Sequence, residues 1–258
     1  MILTIDIGNS NITIGAYCAE EEQRLFLSRI GTDRKKMPDE YAIMINSILR
    51  LYGHRAEDLE GAIISSVVPP LSATLKSAIL RLKDMRILTV GPGIKTGLNI
   101  LLDNPAQLGA DLVCVSVAAM EKYPLPSIVL DMGTATTISA LDRSGNFVGG
   151  SIIPGVRISL EALTSRTAQL PQIELDCPPR SVIGSNTIDC MKSGVMYGTA
   201  GMIDGIIRRY RAELGDDLTV IATGGLSAPI TRLCENEVIQ DENLLLDGLY
   251  LLYRKNTK

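Results

Sequence analysis

The sequence predicts an α/β protein of two duplicated domains with a cleft between the halves, divided as residues 1–122 and 123–258. The segments LTIDIGNSNITIGAY and IVLDMGTATTISALD align Asp6 with Asp131 and Gly8 with Gly133, so one strand–turn–strand unit occurs twice. Each copy opens a run in which short apolar stretches alternate with segments of helical spacing. Between the runs, Tyr123-Pro124-Leu125-Pro126 reads as a linker.

In the first half, Ile2 to Ile7 is a β-branched run interrupted by Asp6. Gly8-Asn9-Ser10-Asn11 supplies a turn, and Ile12 to Tyr17 resumes the strand. Pro38 to Leu51 carries Tyr41, Met44, Ile45, Ile48 and Leu51 at helical spacing. Gly61 to Val68 reads as a buried strand closed by Pro69-Pro70, with a helix over about 71–82 and a strand over 86–90. Residues 95–105 are loop-like, and helical spacing returns from Gln107 to about Lys122. In the second half, Ser127 to Met132 is a strand, Gly133 to Thr137 a turn and Ile138 to Leu141 the return strand. Phe147 to Ile153 is a third strand, stopped by Pro154-Gly155. Helices follow over about 157–163 and 186–211, then a strand over 218–222 running into Thr223-Gly224-Gly225, and a last apolar helix from Asn243 to Tyr253.

Composition narrows the function. Net charge is −4 with no Lys/Arg stripe, and aromatics are 4% with no Trp, which argues against nucleic acid as the partner. The N-terminus lacks a basic start followed by an apolar run, so no signal peptide is expected. No apolar stretch reaches the length of about 18 residues that spans a bilayer, so no membrane segment is expected. Cys18, Cys114, Cys177, Cys190 and Cys234 form no Cys-x-x-Cys and His54 is the only histidine, which excludes a zinc site. The scattered cysteines are expected to be buried free thiols of a reducing cytoplasm. His54 and the pair Lys35-Lys36 read as solvated, and Met191, Met196 and Met202 as packing residues. No Gly-x-Gly-x-x-Gly follows a strand, which disfavours a dinucleotide-dependent dehydrogenase.

The two hairpins suit phosphate. Gly8 and Gly133 have no Cβ, so backbone can approach phosphate oxygens. Asn9, Ser10 and Asn11 in one turn, and Thr134, Thr136 and Thr137 in the other, offer side-chain donors beside the turn amides. Asp6 and Asp131 would repel phosphate directly. They make sense as ligands, direct or through water, of a cation that bridges to it. Thr223-Gly224-Gly225 would allow a close adenosine contact, or is simply a strand-to-helix turn.

Ordered motifs over nearly the whole chain carry a resemblance. They are DIGNSN from Asp6, TDRKKMPDEY from Thr32, SSVVPPL from Ser65, GPGIKTGLNI from Gly91 and DNPAQLGAD from Asp103. DMGTATT from Asp131, GGSIIPGVRISLEAL from Gly149, VIGSNT from Val182 and ATGGL from Ala222 complete the series. With these the chain resembles the type III pantothenate kinases, the first enzymes of coenzyme A biosynthesis in many bacteria. The resemblance implies duplicated actin-like (ribonuclease H-like) domains of the acetate and sugar kinase superfamily. It implies ATP-dependent phosphorylation of pantothenate, with Mg²⁺ and a monovalent cation, K⁺ or NH₄⁺, in a cytoplasmic homodimer. Asp6, Gly8 and Asn9 match the family's first phosphate element. Gly133, Thr134 and Thr136 match the second, with Asp131 also matching the monovalent-cation ligand. Asp111 matches the general base, and Gly109 and Thr187 match substrate-side positions.

Two substrate-side positions depart from the pattern. Leu112 stands where the family carries Arg, and Leu102 where it carries Tyr. A charge-assisted hydrogen bond contributes roughly 1.5–3 kcal/mol, so losing the Arg matters. Three readings stay open on sequence grounds: pantothenate bound by other contacts, a different and less polar alcohol as acceptor, or a degenerate paralogue that binds nucleotide as a regulator.

Overall fold

A computed structural model describes residues 1–175 and 177–257. The chain forms two compact units, residues 1–97 with 104–118 and 244–258, and residues 98–103 with 119–243. The last helix thus returns to the first unit, a return that a linear division of the chain after residue 122 does not contain.

The first unit is a five-stranded sheet with helices. Its elements are β1 (Ile2–Ile7), β2 (Asn11–Tyr17), β3 (Arg24–Gly31), α1 (Pro38–Leu51), β4 (Gly61–Ser66), α2 (Pro69–Leu82) and β5 (Arg86–Thr89). The order is β3-β2-β1-β4-β5, antiparallel across β3, β2 and β1 and parallel from β1 to β4 to β5. No element is expected from the sequence between Tyr17 and Pro38, yet β3 lies there. It is an edge strand in which only Phe26 is fully buried, so its apolar signal is weak. Pro69 and Pro70 open α2 instead of merely closing the strand before it, because proline's fixed φ suits the first turn of a helix. Leu3, Ile5, Ile12, Ile14, Tyr41, Ile45, Leu75 and Ile79 belong to the core. Each fully buried aliphatic side chain contributes roughly 1.5–3 kcal/mol.

Where the chain re-enters the first unit, the Asn104 side chain accepts from the Ala106 N–H at 3.3 Å and caps a 3₁₀ turn at Pro105–Gln107. Then α3 (Ala110–Lys122) begins, three residues later than its apolar spacing suggests.

The second unit repeats the design with β6 (Ser127–Met132), β7 (Ala135–Leu141), β8 (Phe147–Pro154), α4 (Val156–Ser165), α5 (Thr187–Leu214), β9 (Thr219–Thr223), α6 (Ser227–Thr231) and β10 (Ile239–Gln240). Its order is β10-β9-β6-β7-β8. In β1 and in β6 every side chain is buried except the aspartate, which is half-buried. The bulge between Ala16 and Tyr17 recurs between Ala140 and Leu141. The duplication therefore extends to backbone irregularities. Ile128, Leu130, Ile138, Met196, Ile203, Ile207 and Val220 fill this unit's core, with Met202 packed against it.

The chain closes with α7 (Leu244–Lys255). Gly248 lets α7 meet α3, since a Cβ there would collide with the Cys114 carbonyl oxygen. Tyr250 of α7 stacks on Tyr17 with ring centroids 4.6 Å apart. No described helix is long and apolar enough to cross a membrane. Cys114 is buried and Cys18 and Cys234 are half-buried, but Cys177 and Cys190 are exposed, which corrects the expectation of five buried thiols. Cys177 lies outside any regular element and Cys190 in the exposed first turn of α5.

Candidate active site

The first turn is held by its own backbone. The Gly8 N–H donates to the Asn11 carbonyl at 3.0 Å, and a Cβ on Gly8 would press on that oxygen. Asn9, Ser10 and Asn11 are exposed, while Asp6 is half-buried at the end of β1. A second segment is fastened onto this turn. The Thr32 hydroxyl donates to the Gly8 carbonyl at 2.7 Å and the Thr32 N–H donates to the Ser10 carbonyl at 3.0 Å. Arg34 Nη2 donates to Asn9 Oδ1 at 3.0 Å. From below, the hydroxyl of buried Tyr41 donates to the Asp33 carbonyl at 2.8 Å and accepts from the Asp33 N–H at 3.2 Å.

Asp111 stands in the first turn of α3, half-buried, with Oδ1 accepting from the Leu112 N–H at 2.9 Å. Burial pushes its carboxyl above the usual value, against the lowering effect of the Leu112 N–H and its own N–H. Gly109 makes room for it, because a Cβ there would collide with Oδ1. One turn along, the Cys114 thiol is fully buried. Burial and then the negative charges of Asp6 and Asp111 push its pKa well up. Asp6 and Asp111 thus both bear on one buried thiol. Leu112 is half-buried, and what it gives Asp111 is a backbone N–H that any residue but proline would supply.

The second turn is shorter by one residue, with the Gly133 N–H donating to the Ala135 carbonyl at 3.1 Å. Asp131 is half-buried, and its Oδ1 lies 3.7 Å from where a Gly133 Cβ would stand. Thr134 is exposed at the tip. Thr136 is buried, and its hydroxyl has no hydrogen-bond partner among the described residues. Two further glycines crowd the same turn. A Cβ on Gly155 would collide with the Thr134 carbonyl, and one on Gly224, whose φ is +94°, would stand 2.6 Å from the Met132 carbonyl. Gly225 faces open space. The role of Gly155 escapes the sequence reading; the Pro154-Gly155 break after β8 is the available signal.

Thr187 begins α5 behind the Asn186 cap, whose side chain accepts from the Asp189 N–H at 3.0 Å. With Ile153, Leu163, Met191 and Met202 it lines a cavity of about 600 Å³. Leu102 lies on the segment that joins the edge of β8, where the Leu101 N–H donates to the Phe147 carbonyl at 2.8 Å. Its Cδ2 is 3.9 Å from the position of a Cβ on Gly149. Among the described residues no group of three or more His, Cys, Asp or Glu could hold a metal ion. A hard cation at Asp6 or Asp131 would take one or two protein oxygens and complete its shell with phosphate and water.

Comparison with known proteins adds the chemistry. The family model described as type III pantothenate kinase matches residues 2–209. The type III pantothenate kinase of Brevibacillus brevis is 44% identical over 99% of this chain and 99% of its own. Among solved structures, component A of the Acidaminococcus fermentans (R)-2-hydroxyglutaryl-CoA dehydratase is 14% identical. It covers 100% of this chain and 99% of that one at a TM-score of 0.59. An archaeal actin homologue is 11% identical and covers 98% and 99% at 0.50. At these identities the two structures show the fold alone, an actin-like one.

Proposed function

The chain belongs to the type III pantothenate kinase family, and on that premise we propose that it transfers the γ-phosphoryl group of ATP to the 4′-hydroxyl of pantothenate. The products are 4′-phosphopantothenate and ADP, at the first step of coenzyme A biosynthesis. Asp111 is the general base. The 4′-hydroxyl gives its proton to the carboxylate as its oxygen bonds to the γ-phosphorus, the bond to the ADP oxygen breaks, and the proton passes from Asp111 to solvent. The observation that carries this reading is the half-buried Asp111 carboxylate, raised in pKa, held at the start of α3 and sharing one buried neighbour with Asp6.

Asp6, Gly8 and Asn9 form one phosphate element and Gly133, Thr134 and Thr136 another. The buried, unpartnered Thr136 hydroxyl is a donor that an entering oxyanion would satisfy. Asp6 would hold Mg²⁺, and Asp131 a K⁺ or NH₄⁺ ion. These ions supply charge neutralisation on the phosphates. Gly109 and Thr187 stand on the substrate side, with Leu102 and Leu112. The relatives carry no support for the regulator or different-alcohol readings that those two leucines raise. The large exposed apolar side chains Ile152, Val182, Ile183 and Ile188 support a homodimer. Free thiols and the use of ATP fit the cytoplasm.

The test is Asp111→Asn. Pantothenate-dependent ADP release should fall by roughly 10²–10⁴-fold while calorimetric ATP affinity stays unchanged. Retention of most of the turnover would remove Asp111 from the role of base.

A further inference from the structure

The latch on the first turn does more than brace it. The Thr32 hydroxyl and N–H bind the Gly8 and Ser10 carbonyls, and Tyr41 grips both backbone groups of Asp33. These bonds fix the next residue, Arg34, against the tip of the turn, where it donates to the neutral amide oxygen of Asn9. A guanidinium has five N–H donors in a planar fork and stays charged at any working pH. Arg34 uses one donor on Asn9. The nearest acidic side chain in sequence, Asp33, takes the Lys36 ammonium at 3.3 Å instead, and among the described residues no carboxylate forms an ion pair with Arg34. A permanent charge, exposed and pinned to this turn, is arranged for an anion that reaches it.

We propose that Arg34 is a phosphate-contacting residue of the kinase reaction, its guanidinium bridging Asn9 and the β- or γ-phosphoryl oxygens of ATP. The inference rests on the reading of the Asp6–Asn11 hairpin as a phosphate element. Charge spreads over the equatorial oxygens of the transferred group during transfer, and a forked donor at this position meets it without reorganising. Lys35 and Lys36 take no part, since Lys36 is engaged by Asp33 and neither is anchored to the turn.

The experiment is calorimetric binding of ATP, ADP and AMP to the full chain with Mg²⁺, together with steady-state kinetics, for Arg34→Ala, Arg34→Lys and Gly8→Val. The exposed Arg34 can be replaced without loss of core, and a melting curve checks it. Arg34→Ala should weaken ATP by roughly ten- to a hundredfold and leave AMP unchanged. Arg34→Lys should recover part of the loss, because it keeps the charge without the fork. Gly8→Val should weaken ATP independently, by filling the turn. If Gly8→Val weakens ATP and Arg34→Ala does not, the Arg34 assignment is overturned and the hairpin reading stands. Equal loss of ATP and AMP in Arg34→Ala would reduce Arg34 to a structural role and overturns the proposal as well. Unchanged ATP binding in both variants would remove the hairpin reading itself, and Arg34 with it.

Discussion

The Asp111 carboxylate folds back over Gly109 so closely that a side chain at position 109 would displace it. The glycine therefore leaves free the space in which Asp111 Oδ1 accepts the Leu112 N–H. Gly109→Ala should lower kcat roughly a hundredfold, the scale of a 1 Å misplacement of a reacting group, with little change in ATP affinity. Steady-state kinetics beside calorimetry check this. A kcat near that of the unchanged protein would show that Asp111 works from another rotamer.

Burial raises the Asp111 pKa, and the base must be ionised to accept a proton. The acid limb of kcat/KM should therefore lie above the ordinary aspartate value of about 3.9, with activity lost as pH falls through the raised value. The stability consequence has the opposite sign. A carboxyl whose folded pKa is raised favours the fold when protonated, and that contribution is lost as pH rises. Asp111→Asn should thus raise Tm at neutral pH, and the gain should fade as pH falls through the raised folded value and be gone below the unfolded value of about 3.9. A lower Tm for the Asn variant at neutral pH would contradict the shift.

Gly224 and Gly225 are adjacent yet differ in what surrounds them. Gly224→Ala places a Cβ against the Met132 carbonyl at a positive φ and should cost roughly 1–3 kcal/mol in denaturant unfolding. Gly225→Ala enters open space and should leave stability within about 0.5 kcal/mol. If adenosine approaches there, Gly225→Ala will weaken ATP binding without altering unfolding. Unchanged affinity would leave the second glycine as turn chemistry alone.

Asp204 is buried and accepts the N–H groups of Glu235 and Asn236 at 2.9 and 3.0 Å and the Asn236 amide at 2.7 Å. Burial alone would raise its pKa, but the Asn236 side chain and the two backbone donors outweigh it and hold the carboxyl below the usual value. Its contribution to stability is present above the unfolded pKa and lost as pH falls through the lowered one. Asp204→Ala should cost roughly 2–3 kcal/mol at neutral pH by leaving those donors unsatisfied, measured by urea unfolding, and less in acid. A cost independent of pH would refute the ionic role.

The central hairpins were legible because their signal is local. A β-branched run, an aspartate and a glycine turn lie within a dozen residues, and the run repeats. What escaped was set by distance or by exposure. The edge strand β3 offers one fully buried residue, so its alternation is faint. Arg34 lies 25 residues from Asn9 in the chain, so their contact leaves no local signal. Gly155 meets Thr134 only once β8 has turned into α4. The burial of Asp111 could not be read from a helix-start carboxylate alone, since the same residue type there is ordinarily exposed.

The return of α7 to the first unit has a temporal consequence. Tyr17 donates to Asp247 at 2.6 Å, Tyr253 occupies the space over Gly61, and Asn256 bonds both backbone groups of Lys95. A ribosome delivers these partners only after the whole of the second unit has been made. The second unit, complete by residue 243, can close before α7 emerges; the first, although begun earliest, must wait until α7 has left the exit tunnel.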